Sequence, residues 1–353
     1  MPSLFDPVQV GAIPAANRIF MAPLTRARSS REHVPSDLMP TYYAQRAGAG
    51  LIISEAIGIS PQGMGWPYAP GLWSSAQIDA WMPVTEAVHQ AGGRIVAQPW
   101  HMGRLVHPDF LGGAAPVSAS ATTAPGNAHT YAGKQPYAEA RSLQITEIAG
   151  IVEDYGRAAR HAMRAGFDGV QIHAANGYLI DQFLRDGSNL REDDYGGSPE
   201  NRIRFLREVV EAVAGEIGAD RTGVRLSPHG EVQGVDDSEP ASVFVPAASL
   251  LSDLGIAFLE VRHEIGPADK HDTRAAIRAA FKQTLILNSG YDFSTAQVAL
   301  DAGEADAIAF GRAFIANPDL PARFAKGLPL NAGDMKTWYG RGARGYTDYP
   351  ASA

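Results

Sequence analysis

Cysteine is missing altogether from the 353 residues, which excludes disulfides, thiolate metal sites, iron–sulfur clusters and a thiol nucleophile. Charge is scarce too. Asp, Glu, Lys and Arg make up 19% of the chain, below the usual quarter, so much of it is expected to be buried. The balance is −8, from 38 acidic and 30 basic residues. No Lys/Arg cluster stands out, so neither nucleic acid nor an anionic membrane is an expected partner. Lysine is down to five residues, at 134, 270, 282, 326 and 336, all read as loop or helix positions. A Schiff-base aldolase therefore lacks an amine inside any strand framework. Long apolar runs are absent as well. The longest uncharged stretches, Ala56 to Ile78 and Phe110 to Gly133, are broken by Pro and Gly and cannot span a bilayer as helices. The start of the chain, Met1 to Pro7, has neither the basic residues nor the apolar stretch of a signal peptide, and the expectation is a soluble, cytoplasmic protein. Glycine (37) and proline (24) are plentiful but short of the roughly 25–30% that marks a disordered chain.

What is present is a repeated alternation. Short runs rich in Ile, Val, Leu and Ala fall at Ile19–Thr25, Leu51–Ala56, Ile95–Trp100, Gly169–His173, Gly223–Ser227, Ala257–Val261, Leu285–Gly290 and Ala307–Phe310. They are nearly continuous rather than alternating, as in parallel strands covered on both faces. Between them lie helical patterns. After Thr146, Ile148, Val152, Tyr155, Ala159 and Ala162 recur at helical spacing up to Gly166. After the cap and N1 pair Ser198-Pro199, Ile203, Leu206, Val210, Val213 and Ile217 form a stripe, with Arg204, Arg207, Glu208 and Glu211 on a solvated face. Eight strands alternating with helices, without linker or composition shift, predict an α/β fold: a single (β/α)8 TIM barrel spanning 1–353. A doubly wound sheet would want a G-x-G-x-x-G turn after an early strand, and no such fingerprint is expected anywhere in the chain. The segment from Met102 to Gln144, after the third strand, is too long for an ordinary loop and is read as a capping lid.

In a barrel, function gathers at the C-terminal strand ends. Those ends read Met21-Ala22-Pro23-Leu24-Thr25-Arg26, Ser54-Glu55-Ala56, Gln98-Pro99-Trp100-His101, His173-Ala174-Ala175-Asn176-Gly177-Tyr178, Arg225-Leu226-Ser227-Pro228, Asn288-Ser289-Gly290 and Gly311-Arg312. The set is rich in neutral donors and has no lysine. A metal hydrolase is disfavoured, since His101 and His107 lack an obvious carboxylate partner, and no metal is expected. A paired-carboxylate glycosidase could use Glu55 and Glu260, but their neighbours favour structural roles. A donor-rich mouth suits a polar heteroaromatic ring such as an isoalloxazine. Gln98 can meet an imide edge with both a donor and an acceptor. Arg225 would place positive charge beside the N1/C2 carbonyl region. Gly290, Gly311 and Arg312 sit where barrels bind phosphate.

These residues resemble the old yellow enzyme family of FMN-dependent ene-reductases. The match runs from Asn17–Arg26 through Gln98–Arg104, His173–Leu179, Asp181–Leu184, Asn189–Arg191, Tyr195–Ser198, Asn201-Arg202 and Phe310–Arg312 to Gly345–Pro350. Thr25, where another branch carries Cys, points to the Thr-type branch that includes pentaerythritol tetranitrate and N-ethylmaleimide reductases, with monomers or homodimers. The resemblance implies tightly bound, non-covalent FMN held by Pro23, Thr25, Ala56, Gln98, Arg225, Gly290, Gly311 and Arg312, with Thr25 on the flavin C4 carbonyl. It implies that His173 and Asn176 hold the substrate's carbonyl or nitro oxygen, that Tyr178 donates the proton, and that Trp66 and Trp100 line the substrate pocket. Trp66 departs from the Tyr common at its position, which removes a phenolic donor; Pro99 is a milder departure. The implied reaction takes hydride from NAD(P)H and delivers it from flavin N5 to the β-carbon of α,β-unsaturated carbonyls or nitroalkenes. Nitro compounds and nitrate esters are further substrates of the class. Nicotinamide and substrate would share one flavin face, giving ping-pong turnover without a Rossmann domain. Two neutral donors aimed at the oxygen that gains charge would stabilise the transition state over the ground state. The alternative is a flavin-binding barrel that no longer turns over and acts as a sensor.

Overall fold

The computed structural model describes residues 2–229, 232–263 and 272–352. Eight parallel strands close into a barrel: β1 Ile19–Met21, β2 Ile52–Gly58, β3 Ile95–Trp100, β4 Gly169–His173, β5 Thr222–Leu226, β6 Phe258–Arg262, β7 Thr284–Asn288 and β8 Ala307–Phe310. Each pairs with its sequence neighbour, and Ile308 opposite Ile19 joins β8 to β1. Helices follow every strand: α1 Met39–Ala44, α2 Ser75–Gln90, α3 Ile145–Arg164, α4 Leu179–Leu184 with α5 Pro199–Ile217, α6 Pro240–Asp253, α7 Arg274–Ala280, α8 Phe293–Asp301, and α9 Arg312–Ala316 with α10 Leu320–Lys326. This is the (β/α)8 barrel expected from the alternation. Among the described residues no helix is long and apolar enough to cross a membrane.

Local chemistry accounts for the element ends. Ser198 accepts from the Asn201 N–H and Pro199 opens α5, where Pro's missing donor costs nothing. The Glu147 carboxylate accepts from the Gln144 N–H to close a capping box at the start of α3. β1 stops at Met21 rather than reaching Thr25, because Pro23 has no N–H for the ladder. β7 stops at Asn288 because Ser289 (φ 95°) and Gly290 (φ 75°) are left-handed and cannot continue a strand. Between Ile53 and Ala56 the β2–β3 register shifts, so Ser54 and Glu55 bulge out of the pairing.

The lower half of the barrel is filled by Phe20, Ile53, Val96, Phe258, Ile286 and Ala309, and an N-terminal hairpin, Val8–Val10 with Ile13–Ala15, covers it. Gly223 makes room for the Phe258 ring, which a β-carbon there would meet at 2.2 Å. Only the C-terminal end is left open to build a site. Residues 102–144 hold a hairpin (Asn127–Thr130 with Gly133–Pro136) and a short parallel pair (Val117–Ser118 with Arg141–Ser142).

Two expectations need correction. Gly340, Gly342 and Gly345 do carry the G-x-G-x-x-G spacing, but the run lies in the C-terminal segment and follows a 3-10 turn. It opens no helix, so it has no dinucleotide-binding context. Lys134 is on the cap hairpin rather than in a loop, and Lys270 lies outside the described residues.

Candidate active site

The mouth holds two cavities that share Pro23, Leu24 and Arg312. The larger, about 700 Å³, is also lined by Asn176, Arg225, Arg262, Asn288, Gly290 and Gly311. The smaller, about 300 Å³, is lined by Thr25, Trp66, Tyr178, Trp338 and Tyr339. Nine of the expected site residues thus meet at one place. Ala56, Gln98, Trp100 and His173 line neither cavity and are buried just behind the rim. Trp100, 1% exposed, packs with Ala56, Met64 and Met102, and its ring lies 4.9 Å from Tyr178. Trp66 packs 4.8 Å from His129 of the cap and 5.5 Å from Tyr339.

The end of β4 carries most of the polar chemistry. Asn176 (φ 59°) and Gly177 (φ 76°) are both left-handed, a conformation Asn tolerates and Gly adopts freely. A β-carbon on Gly177 would meet the Val232 carbonyl oxygen at 2.8 Å. The turn is pinned from below. Asp181 accepts from the Gly177 N–H at 2.8 Å, and the Gln182 amide donates to the Gly177 carbonyl at 2.7 Å. Asp181 pairs in turn with Arg185 at 2.9 Å. Asp181 and Gln182 are therefore structural anchors. The result brings the His173 and Tyr178 rings to 4.8 Å, edge to face.

Electrostatics make this a set of neutral donors. Burial, helped by the nearby Arg225 cation, holds the His173 imidazole well below its ordinary pKa, so it is uncharged at neutral pH. Its Nδ1 is buried and meets no protein partner. Asn176 Oδ1 accepts from Arg262 at 3.2 Å. A guanidinium only donates, so the Asn176 NH2 is left to donate elsewhere. Burial pushes the Tyr178 hydroxyl up to about 12, against a hydrogen bond with Gln233 that lowers it. It keeps its proton at neutral pH.

Arg225 and the phosphate candidates differ in their pairing. Arg225 Nε stands 3.0 Å from Glu260, without the N–H aimed along the contact, and its Nη2 donates to Asn288 at 2.8 Å. Arg312 is exposed and has no acidic partner among the described residues, which leaves its fork available to an anion beside Gly290 and Gly311. An unpaired guanidinium over a glycine-lined cleft and a cation at Arg225 fit FMN, and the buried open Nδ1 of His173 is left for a second ligand.

Several positions at or beneath the mouth were not in the sequence reading. The sixth strand also ends at the mouth, where Arg262 sits beside Asn288 in register. Gln171 lies two residues before His173 and so on the same face of β4, which was a usable signal. Trp338 and Tyr339 reach the mouth from the far end of the chain. Arg26 and Arg28 hold that segment by donating to the Trp338 carbonyl, and Arg26 Nη2 donates to Gly345 at 2.7 Å. His101 and His107, the histidines weighed as metal ligands, each turn Nδ1 to a backbone N–H. His101 Nδ1 accepts from the Gly103 N–H, and burial takes its pKa down to about 3. His107 Nδ1 accepts from the Asp109 N–H. Among the described residues His229, His263 and Asp272 bring donor atoms within 4.8 Å, but Asp272 is gripped by Arg274 at 2.7 Å and His229 bonds Thr273 at 2.9 Å.

Glu55, in the β2 bulge, turns away from the mouth. It accepts from the Arg26 N–H at 3.2 Å and from Tyr43 Oη at 3.3 Å, so it fixes the loop that carries Thr25. Burial raises its pKa from 4.5 to about 7. Between those values the folded chain holds the proton more tightly than the unfolded chain, so stability falls as pH rises from about 4.5 through about 7. Thermal melts of wild type and Glu55→Gln from pH 5 to 8 check this: the decline expected in wild type should flatten in the variant.

Comparison with known proteins follows the same line. The model of the NADH:flavin oxidoreductase / NADH oxidase family matches residues 3–331. The chain is similar to the old yellow enzyme homologue of Zymomonas mobilis, 59% identical with a TM-score of 0.97, covering 99% of each chain. A morphinone reductase solved with tetrahydroNAD is 47% identical, with a TM-score of 0.96 over 100% of this chain and 98% of that one. Putative 12-oxophytodienoate reductase 3 of Oryza sativa subsp. japonica is 42% identical over 98% of this chain and 92% of the relative.

Proposed function

The chain belongs to the NADH:flavin oxidoreductase / NADH oxidase family, that of the old yellow enzymes, and from that premise we propose an NAD(P)H-dependent reductase of α,β-unsaturated carbonyls and nitroalkenes. Nitro compounds and nitrate esters are further substrates, and turnover is ping-pong. The relatives' names point the same way, since one is named 12-oxophytodienoate reductase 1 and another morphinone reductase. The observation that carries the reading is the convergence of His173, Asn176 and Tyr178 on one strand–turn junction above a cavity.

FMN, when bound, supplies the two-electron relay from NAD(P)H to the alkene. Gln98, Arg225 and Thr25 would hold its ring, and Gly290, Gly311 and Arg312 its phosphate. The rest is the work of the chain. His173 and Asn176 grip the substrate's carbonyl or nitro oxygen, where negative charge builds as the β-carbon is reduced. Because both are neutral donors fixed in advance, they favour that charged state over the ground state. Tyr178 then gives its proton to the α-carbon and is reprotonated from solvent, which completes addition of hydride and proton across the double bond. Residues 102–144 serve as a lid within a single unit, with the hairpin residue His129 against Trp66.

The test is turnover. FMN-reconstituted protein given NAD(P)H and 2-cyclohexenone should oxidise the cofactor steadily and yield cyclohexanone. Bound flavin without turnover would instead leave the silent sensor barrel standing.

A further inference from the structure

We propose that Glu260 and Gln171, which contact neither cavity, are positioning residues that dictate which end of the Gln98 amide faces the barrel mouth. The inference rests on the FMN reading and adds two residues beneath the ring.

All three side chains are buried, on β6, β4 and β3 respectively. Gln171 Nε2 donates to one Glu260 oxygen at 2.6 Å. Gln98 Nε2 donates to Gln171 Oε1 at 2.8 Å. The direction of this relay is forced. A carboxylate has no proton to give, so Gln171 must turn its NH2 toward Glu260 and its oxygen toward Gln98. Gln98 must then spend one N–H on Gln171. Flipping either amide would set two buried oxygens face to face. Gln98 is left with its carbonyl oxygen and a second N–H side by side, and among the described residues that oxygen accepts nothing from the protein. An acceptor beside a donor complements the N3–H and adjoining carbonyl of a flavin.

The other Glu260 oxygen stands 3.0 Å from Arg225 Nε. Arg225 donates to Asn288 Oδ1 at 2.8 Å, so the Asn288 NH2 turns to the Ala309 carbonyl at 2.7 Å. A single buried carboxylate thus sets the polarity of both groups expected on the pyrimidine side of the ring, the Gln98 amide and the Arg225 cation. Its role is to orient and to balance charge, not to touch the reacting atoms.

Two near-isosteric variants separate these roles. Glu260→Gln can donate as well as accept, so it releases the relay and removes a negative charge beside Arg225. Gln171→Met breaks the relay and leaves the Arg225 pair in place. The readouts are the FMN dissociation constant on reconstitution of apoprotein, the flavin vibrational bands that shift on N3–H/N3–D exchange, and the midpoint potential of bound FMN. Both variants should bind FMN about tenfold more weakly and show the N3–H bands of a weaker hydrogen bond. Only Glu260→Gln should also raise the potential. Unchanged bands in both variants would overturn the inference, even if FMN bound less tightly, because weaker binding alone reports packing. Wild-type protein that bound no FMN would overturn the functional reading instead, a separate result.

Discussion

Tyr178→Phe should slow alkene reduction by about 10²- to 10⁴-fold, the range of a lost general acid, while reduction of bound FMN by NAD(P)H stays nearly intact. The phenylalanine keeps the ring that packs against Trp100 and His173 and removes only the hydroxyl. Nothing in the first half of the cycle needs that proton, so the effect should fall on the second half alone. Stopped-flow spectroscopy of the two halves checks it, and equal losses in both would remove Tyr178 from the proton-donor role. The pH profile carries the same signature. Burial holds the wild-type hydroxyl up to about 12, so alkene reduction should keep its proton donor well past pH 10, where an ordinary tyrosine would be half ionised.

The parts of the site that could be read in the sequence are those that sit close together along it. His173, Asn176 and Tyr178 span six residues across the end of β4, and a strand followed by Asn-Gly already implies a turn at a barrel rim. The barrel itself was legible because eight apolar runs repeat at strand length with helical stripes between them. Gly290, Gly311 and Arg312, the proposed phosphate contacts, were suggested by the general placement of phosphate sites on the last two strands, and they line one cavity.

What stayed hidden depends on closure or on the far end of the chain. Glu260 looked like one apolar-flanked acid among others; its partners Gln171 and Arg225 are on different strands, and only the closed barrel makes them neighbours. Glu55 offered no sign that the β2 ladder would bulge and turn it toward Arg26 rather than the mouth. Arg262, which decides the direction of the Asn176 amide, ends β6, two strands away from β4. Trp338 and Tyr339 reach the rim only because buried arginines from the β1 loop hold their segment there. Periodicity records none of these contacts.

The second large effect belongs to the donor pair. His173→Ala combined with Asn176→Ala should weaken phenol binding to the FMN-loaded protein by at least about a hundredfold, since each hydrogen bond to a charged oxygen contributes about 1.5–3 kcal/mol. Neither substitution disturbs the anchors of the turn, Asp181 and Gln182, which bond to Gly177. A spectral titration reads ligand and ring together: phenol should perturb the flavin absorbance saturably in wild type, and the double variant should need far higher concentrations. An absorbance that phenol leaves untouched, or one affinity shared by wild type and variant, would contradict a flavin lying beneath these two donors.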